Sequence, residues 1–229
     1  MNLFDQMHDE LAAERESLFA APIIGDALRG QITRQQYVAF LREAYFHVSQ
    51  TVPLLMACGS RIPAGKEWVR AAVAHYIEDE YGHEQWILND ILAAGGDDKI
   101  VRNGSPSCAT ELMVSYAWDV VQRRNPVGFF GMVYVLEGTS VALATRAAET
   151  LQDSLDLPAQ AFSYLLSHGT VDLEHVQFLE SLINRLDDAD DRACVLHCAR
   201  RFYHLYGQIF RALPDRSEAS LRPDLRQVA

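Results

Sequence analysis

Three times in this chain an acidic residue stands three positions before a histidine: Asp5/His8, Glu80/His83 and Asp172/His175. On a helix that spacing sets both side chains on one face, close enough to grip one metal ion. With 31 acidic residues and eight histidines in 229 positions, chance supplies roughly one such pair, so no single instance is informative. Their surroundings separate them. Asp5/His8 lies close to the N-terminus, where a solvated acid beside a surface histidine is the ordinary outcome. Glu80 lies between Ile77 and Ile87, and Asp172 between Leu165 and Phe178. A lone carboxylate on such an inward face is costly unless it is paired or bound to a cation. Glu137 is the extreme case. It interrupts GFFGMVYVLEGTSVALA, the most apolar stretch of the chain, with no basic residue between Arg124 and Arg146.

His168, Asp172 and His175 follow one another at spacings of four and three, on one helical stripe. Glu43 and His47, four apart, belong to an earlier helix that must be largely buried. In chain order the sequence offers Glu43, Glu80-x-x-His83, Glu137 and Asp172-x-x-His175. One carboxylate from each of two helices plus an acid-x-x-His pair from each of two others is the pattern of a dinuclear iron or manganese site in a helical bundle. Mixed oxygen and nitrogen ligation suits iron. The pattern alone describes a ferritin-like protein equally well. Other chemistries lack their residues: there is no Gly-rich phosphate loop and no GxSxG. Cys194 and Cys198, flanking His197, have no second ligand pair at matching spacing and read as core thiols. The aromatics Tyr37, Tyr45, Phe46, Phe129, Phe130, Tyr134 and Tyr164 read as packing.

The elements that must position these groups all carry helical patterning. Residues 5–19 show no strand-like alternation, and Pro22 to Gly30 forms a second short piece. Thr33 and Gln36 make a capping box ahead of a helix to about Ala57, kinked at Pro53. Pro63 opens a helix over 64–94 that Gly95-Gly96 closes. Further helices run from Ser107 or Thr110 to Arg124, from Pro126 to Leu151, from Pro158 to Leu166 and over 171–186. The acidic cluster 187–191 starts the last helix, 189–213, where carboxylates meet the positive helix end. The reading is an all-α, single-domain bundle of about seven or eight helices over 1–213, with a polar tail at 214–229.

Composition agrees. At 49% hydrophobic and 22% charged residues the chain is an ordinary globular protein, and its formal charge of −11 argues against nucleic acid as a partner. No apolar run approaches the roughly 18 residues of a membrane span. The acidic N-terminus is unlike a signal peptide, and four scattered cysteines make no disulfide scaffold. A cytoplasmic protein without a membrane partner is expected.

Three segments resemble the heme-oxygenase-like diiron oxidases, relatives of the thiaminase II-like and pyrroloquinoline-quinone-synthase-like proteins. They are REAYFHVSQTVPLL (42–55), YIEDEYGHEQWILNDILAAGG (76–96), and VYVLEGTSVAL (133–143) with HGTVDLEH (168–175). The resemblance spans nearly the whole chain and implies the heme-oxygenase-like helical fold. It implies Glu80, His83, Glu137, His168, Asp172 and His175 as ligands to two iron ions, with manganese admissible at one position. Glu80 or Glu137 would bridge the metals as the catalytic carboxylates, and Glu43 or His47 could supply a seventh ligand. The implied partners are O2 and a small metabolite (an amino acid, an amine or a fatty acid), and the implied assembly is a homodimer. Arg146 and Arg201 could meet a substrate carboxylate, although surface exposure is the simpler reading. The Gly-rich distal segment of true heme oxygenase is missing. The thiaminase II nucleophile should lie near residue 133, yet no cysteine stands between Cys108 and Cys194. Quinone synthase binds no metal and needs other polar residues in place of these ligands. The alternatives are a metal-free thiaminase II-like hydrolase and a non-catalytic metal-binding or regulatory protein.

Overall fold

The computed structural model describes residues 2–215, apart from the side chains of residues 169–173. Its described residues form helices and turns with no strand. Twelve α-helices follow in order: α1 (Leu3–Glu10), α2 (Ala12–Phe19), α3 (Pro22–Leu28), α4 (Arg34–Val48), α5 (Thr51–Arg61), α6 (Glu67–Glu80), α7 (His83–Ala93), α8 (Asp98–Arg102), α9 (Cys108–Arg123), α10 (Phe129–Leu155), α11 (Ser163–Asn184) and α12 (Ala189–Ala212). The all-α bundle read from sequence is the fold. The count exceeds seven or eight because three stretches expected to be continuous break, at Leu11, at Ser49-Gln50 and at Tyr81-Gly82, and because α8 adds a short helix. The second break has a simple cause. A helix running through Pro53 would press its ring on the Ser49 carbonyl, so the chain restarts at Thr51 and places Pro53 in a first turn, where no N–H is needed. The tail 214–229 falls mostly outside the described residues.

Several local signals act as expected. Thr33 and Gln36 make both hydrogen bonds of a capping box. Asp188 caps α12 through the Asp190 and Asp191 N–H groups. Gly169 does not interrupt α11, which runs unbroken from Ser163 to Asn184; packing outweighs the roughly 1 kcal/mol a helical glycine costs. Another acid caps from a distance. Asp90 of α7 accepts hydrogen bonds from Ser163 N–H and Oγ and from Tyr164 N–H, anchoring the start of α11. Gly131 lets α10 lie directly on α12, where a Cβ would stand 2.6 Å from Ala199 N and Val195 O.

The stretch from Pro126 to Leu155 is long and apolar enough to cross a membrane, contrary to the reading from sequence, but most of its apolar surface is buried against the rest of the bundle. Buried apolar residues form two clusters. One includes Tyr76 of α6, Phe130 and Val135 of α10 and Leu179 of α11. The other includes Ile87 of α7, Ala144 and Ala148 of α10 and Leu165 of α11. Along each of these three paths the chain passes from one cluster to the other, and the residues at the crossing are Glu80 with His83, Glu137, and His168 with His175. A polar layer thus divides the core.

Candidate metal centre

Glu80 ends α6 and His83 begins α7, with Gly82 between them at φ +91°. The pair does not share a helix face as its spacing predicts. The left-handed residue, a conformation that favours glycine, turns the chain so that His83 Nδ1 lies 3.2 Å from Glu80 Oε2. α11 supplies the other imidazoles. His175 Nδ1 lies 3.6 Å from Glu80 Oε1 and 3.5 Å from Glu137 Oε1. Two groups of three result, Glu80 with His83 and His168, and Glu80 with Glu137 and His175. Within each, the potential ligand atoms all lie within 4.8 Å of one another. Glu80 belongs to both, one carboxylate oxygen toward each set of histidines.

The histidines are held by their second nitrogens. His168 Nδ1 lies 2.9 Å from the Tyr164 carbonyl, which can only accept; the proton is therefore on Nδ1 and Nε2 is left bare. His175 Nε2 lies 3.4 Å from Asp79 Oδ2, and the same oxygen lies 3.4 Å from His75 Nε2. Asp79 is therefore a carboxylate behind a candidate ligand, placed to set the ring's orientation as outer carboxylates do at metal sites. Sequence reading missed it. The signal was an acid next to Glu80, and only the tertiary position of His175 distinguishes it from a surface residue. The His83 ring stacks on Trp86 at 4.0 Å and meets His168 edge-on at 4.9 Å.

Electrostatics make the arrangement incomplete as it stands. Burial and then the charge of Glu80 push the Glu137 carboxyl well above the usual carboxylate range, against a hydrogen bond from Tyr76. Burial would also raise Glu80, but the His83 hydrogen bond and three nearby imidazoles bring it below its ordinary value. Burial lowers His168 to about 4, so its ring is neutral at physiological pH, the state in which imidazole ligates metal. Buried Glu137 Oε2 makes no hydrogen bond among the described residues. A buried polar atom without a partner costs about 1–3 kcal/mol, and a cation bound there would satisfy it. The mixed carboxylate and imidazole donors fit iron.

Three expected ligands stand in neither group as described. The Asp172 side chain lies outside the described residues. Glu43 Oε2 accepts from Ser107 N–H at 3.0 Å and Thr110 Oγ1 at 2.5 Å, so it caps α9 and stands in neither ligand group. His47 is buried against Tyr206, and burial together with His168 lowers it to about 3. It lines the cavity beside Glu80 and Glu137 without joining either group.

Residues 38–207, which hold every one of these groups, match the family described as iron-containing redox enzyme. The chain belongs to that family. Solved structures share its fold. A domain of unknown function with a heme oxygenase-like fold from Shewanella denitrificans aligns with a TM-score of 0.82 at 21% identity, covering 92% of this chain and 91% of its own. Heme oxygenase-1 from the cyanobacterium Synechocystis, in complex with heme, aligns at 0.74 and 15% identity, covering 96% and 95%. A TenA homologue from Pseudomonas syringae aligns at 0.75 and 10% identity, covering 95% and 92%. This iron-containing redox enzyme family member therefore has the fold common to the heme-oxygenase and TenA branches. No curated protein matches its sequence.

Proposed function

We propose that this protein is a non-heme diiron enzyme that uses O2 to oxidise a small organic molecule. The observation that carries the reading is Glu80: a largely buried carboxylate at the junction of two histidine-bearing groups. Glu80 would join two iron ions, one also held by His83 and His168, the other by Glu137 and His175, with Asp172 of α11 as a further ligand. Such a pair supplies the electrons that reduce O2 and the oxidising power for the substrate. The chain's own part is to orient and to shield. Asp79 and the Tyr164 carbonyl fix the rings of His175 and His168. Trp86 stacks on the His83 ring and Tyr76 meets the His175 ring edge-on, each covering part of its imidazole with aromatic surface. None of the four cysteines lines the cavity beside these ligands, so a thiol nucleophile of the thiaminase kind has no group there.

The test is anaerobic loading with ferrous ion followed by O2. About two equivalents should bind, and an oxygen electrode should record O2 uptake that metal-free protein lacks and that a substrate accelerates. A ferrous protein inert to O2, isolated with zinc as its native metal, would replace the oxidase reading with a binding role.

A further inference from the structure

Apart from the candidate centre, α12 carries a second group of metal-binding atoms. Cys194 and Cys198 lie one turn apart on the face of α12 that meets the Pro126–Gly128 turn, and their sulfurs are 4.0 Å from each other. Cys198 is buried and Cys194 half-buried. The Tyr116 hydroxyl of α9 donates to Cys198 Sγ at 3.7 Å, and Cys194 Sγ lies 3.9 Å from the Asn125 carbonyl. Gly128 faces both sulfurs: a Cβ there would stand 2.8 Å from each. Glycine therefore keeps a side chain out of the gap between them.

The spacing decides what can join the two sulfurs. Residues four apart on a helix hold their Cβ atoms about 5–6 Å apart, whereas a disulfide needs about 3.5–4.5 Å. The pair sits inside α12, which runs from Ala189 to Ala212, so a direct S–S bond would have to distort a helical turn. One bridging ion needs no such movement, because two metal–sulfur bonds of about 2.3 Å span up to about 4.6 Å. Zinc would want four ligands. Among the described residues neither cysteine joins a group of three potential ligands, which leaves an ion satisfied by two soft donors. Copper(I) is that ion, being monovalent and selected by thiolates.

The charges agree. The sulfurs share a hydrogen bond that holds the Cys194 thiol below its ordinary value and, with burial, pushes Cys198 far above its own. A pair that shares one proton has room for a cation in that proton's place. The Arg124 guanidinium, 5.7 Å from the Tyr116 ring, favours negative charge on both sulfurs. Asp191 opposes it at Cys194, but Lys66 and Asn125 engage that carboxylate.

We propose that Cys194 and Cys198 form a two-thiolate site for a single copper(I) ion, separate from the candidate iron centre and independent of the diiron reading. As the two copper–sulfur bonds form, each thiol proton leaves to solvent and no electron changes hands. Tyr116 supports the site by donating to the Cys198 sulfur.

The experiment offers the full chain, reduced and under argon, copper(I) as its bicinchoninate complex. The protein should withdraw about one equivalent, read as loss of the chelate's colour, and X-ray absorption at the copper edge should report two sulfur neighbours and no nitrogen. Cys194→Ser and Cys198→Ser should each abolish that equivalent, and Cys108→Ser should keep it. Tyr116→Phe should weaken binding about tenfold. Melting curves show which variants are folded. The unaltered chain supplies a check that needs no variant: with copper bound, iodoacetamide should label exposed Cys108 and spare Cys194. Ferrous-loaded and metal-free protein should take up the same copper. Copper retained by either folded serine variant, nitrogen neighbours at the copper edge, displacement by an equal concentration of zinc, or Cys194 alkylated as fast with copper as without would overturn the proposal. So would a copper count that falls as iron is loaded, which would place the copper at the histidines. A disulfide formed within the 193–200 peptide when hydrogen peroxide meets the metal-free chain would also overturn it, since the pair would then close without an ion.

Discussion

Asp90 and Glu137 are both buried carboxylates in the same bundle, yet they are answered by different groups. Asp90 meets three donors, two from Ser163 and one from Tyr164, and so fastens the start of α11. Glu43 and Asp191 follow the same rule: Ser107 and Thr110 answer the first, Lys66 and Asn125 the second. Glu137 faces the His175 imidazole, a second carboxylate and a single tyrosine hydrogen bond, and one of its oxygens has no hydrogen bond. Burial of an acid is therefore not what marks a metal site. What distinguishes Glu137 is a set of neighbours that could themselves ligate a metal, a set that a cation would complete.

The sharpest way to break this division is to remove acids from each side of it. Glu80→Ala should abolish binding of both ferrous ions, because Glu80 stands in both ligand groups. Glu137→Ala should weaken one position and spare the other. Glu43→Ala should keep two equivalents while losing stability at the α9 cap. Anaerobic titration read by metal analysis decides, and a loss of iron on removing Glu43 would put it back among the ligands.

Stability should separate the two kinds of acid next. Asp90→Ala strands three donors and should cost about 2–3 kcal/mol in denaturant unfolding. Glu137→Gln should do the reverse in metal-free protein. Its folded-state carboxyl is raised above the ordinary 4.5, so the stability it contributes is complete below that pH and is lost as pH rises toward the folded value. The variant should therefore gain on its parent as pH increases from about 4.5, and metal should cancel the difference. Comparing variant with parent removes the opposite contribution of His47 and His168, lowered to about 3 and 4. Being depressed, they cost stability as pH falls below 6.5. Parallel pH curves for variant and parent would mean that Glu137 is not held in a raised state.

How much of this was legible depended on the range of the interaction. Thr33 with Gln36 and the Asp188 cap are decided within four residues and were readable. So was the need for a partner at Glu137, since a carboxylate in an apolar helix needs an explanation wherever that helix lies. The turn at Gly82 was not, because apolar periodicity continues on both sides of it and a glycine's φ leaves no trace in the letters. Asp79 acquires its role only through His175, 96 positions later. Glu43 looked like a ligand because its true partners, Ser107 and Thr110, lie more than 60 positions away.

The smallest expected effect is a null, and it tests whether spacing or environment makes the site. Asp5/His8 has the same acid-x-x-His spacing as Glu80/His83 and, unlike that pair, does sit within a single helix, α1. Yet the His8 side chain is 63% exposed and its near neighbour is Asp9 at 3.5 Å. In water, two such groups have no need of a metal, since solvent already satisfies them. Replacing both by Ala should leave iron content at two equivalents and move the melting temperature by no more than a surface change does, within about 0.5 kcal/mol. The same double replacement at Glu80 and His83 should empty the centre. Should Asp5/His8 instead lower the iron count, helical spacing would be the determinant after all, and the polar layer between the two apolar clusters would need another explanation.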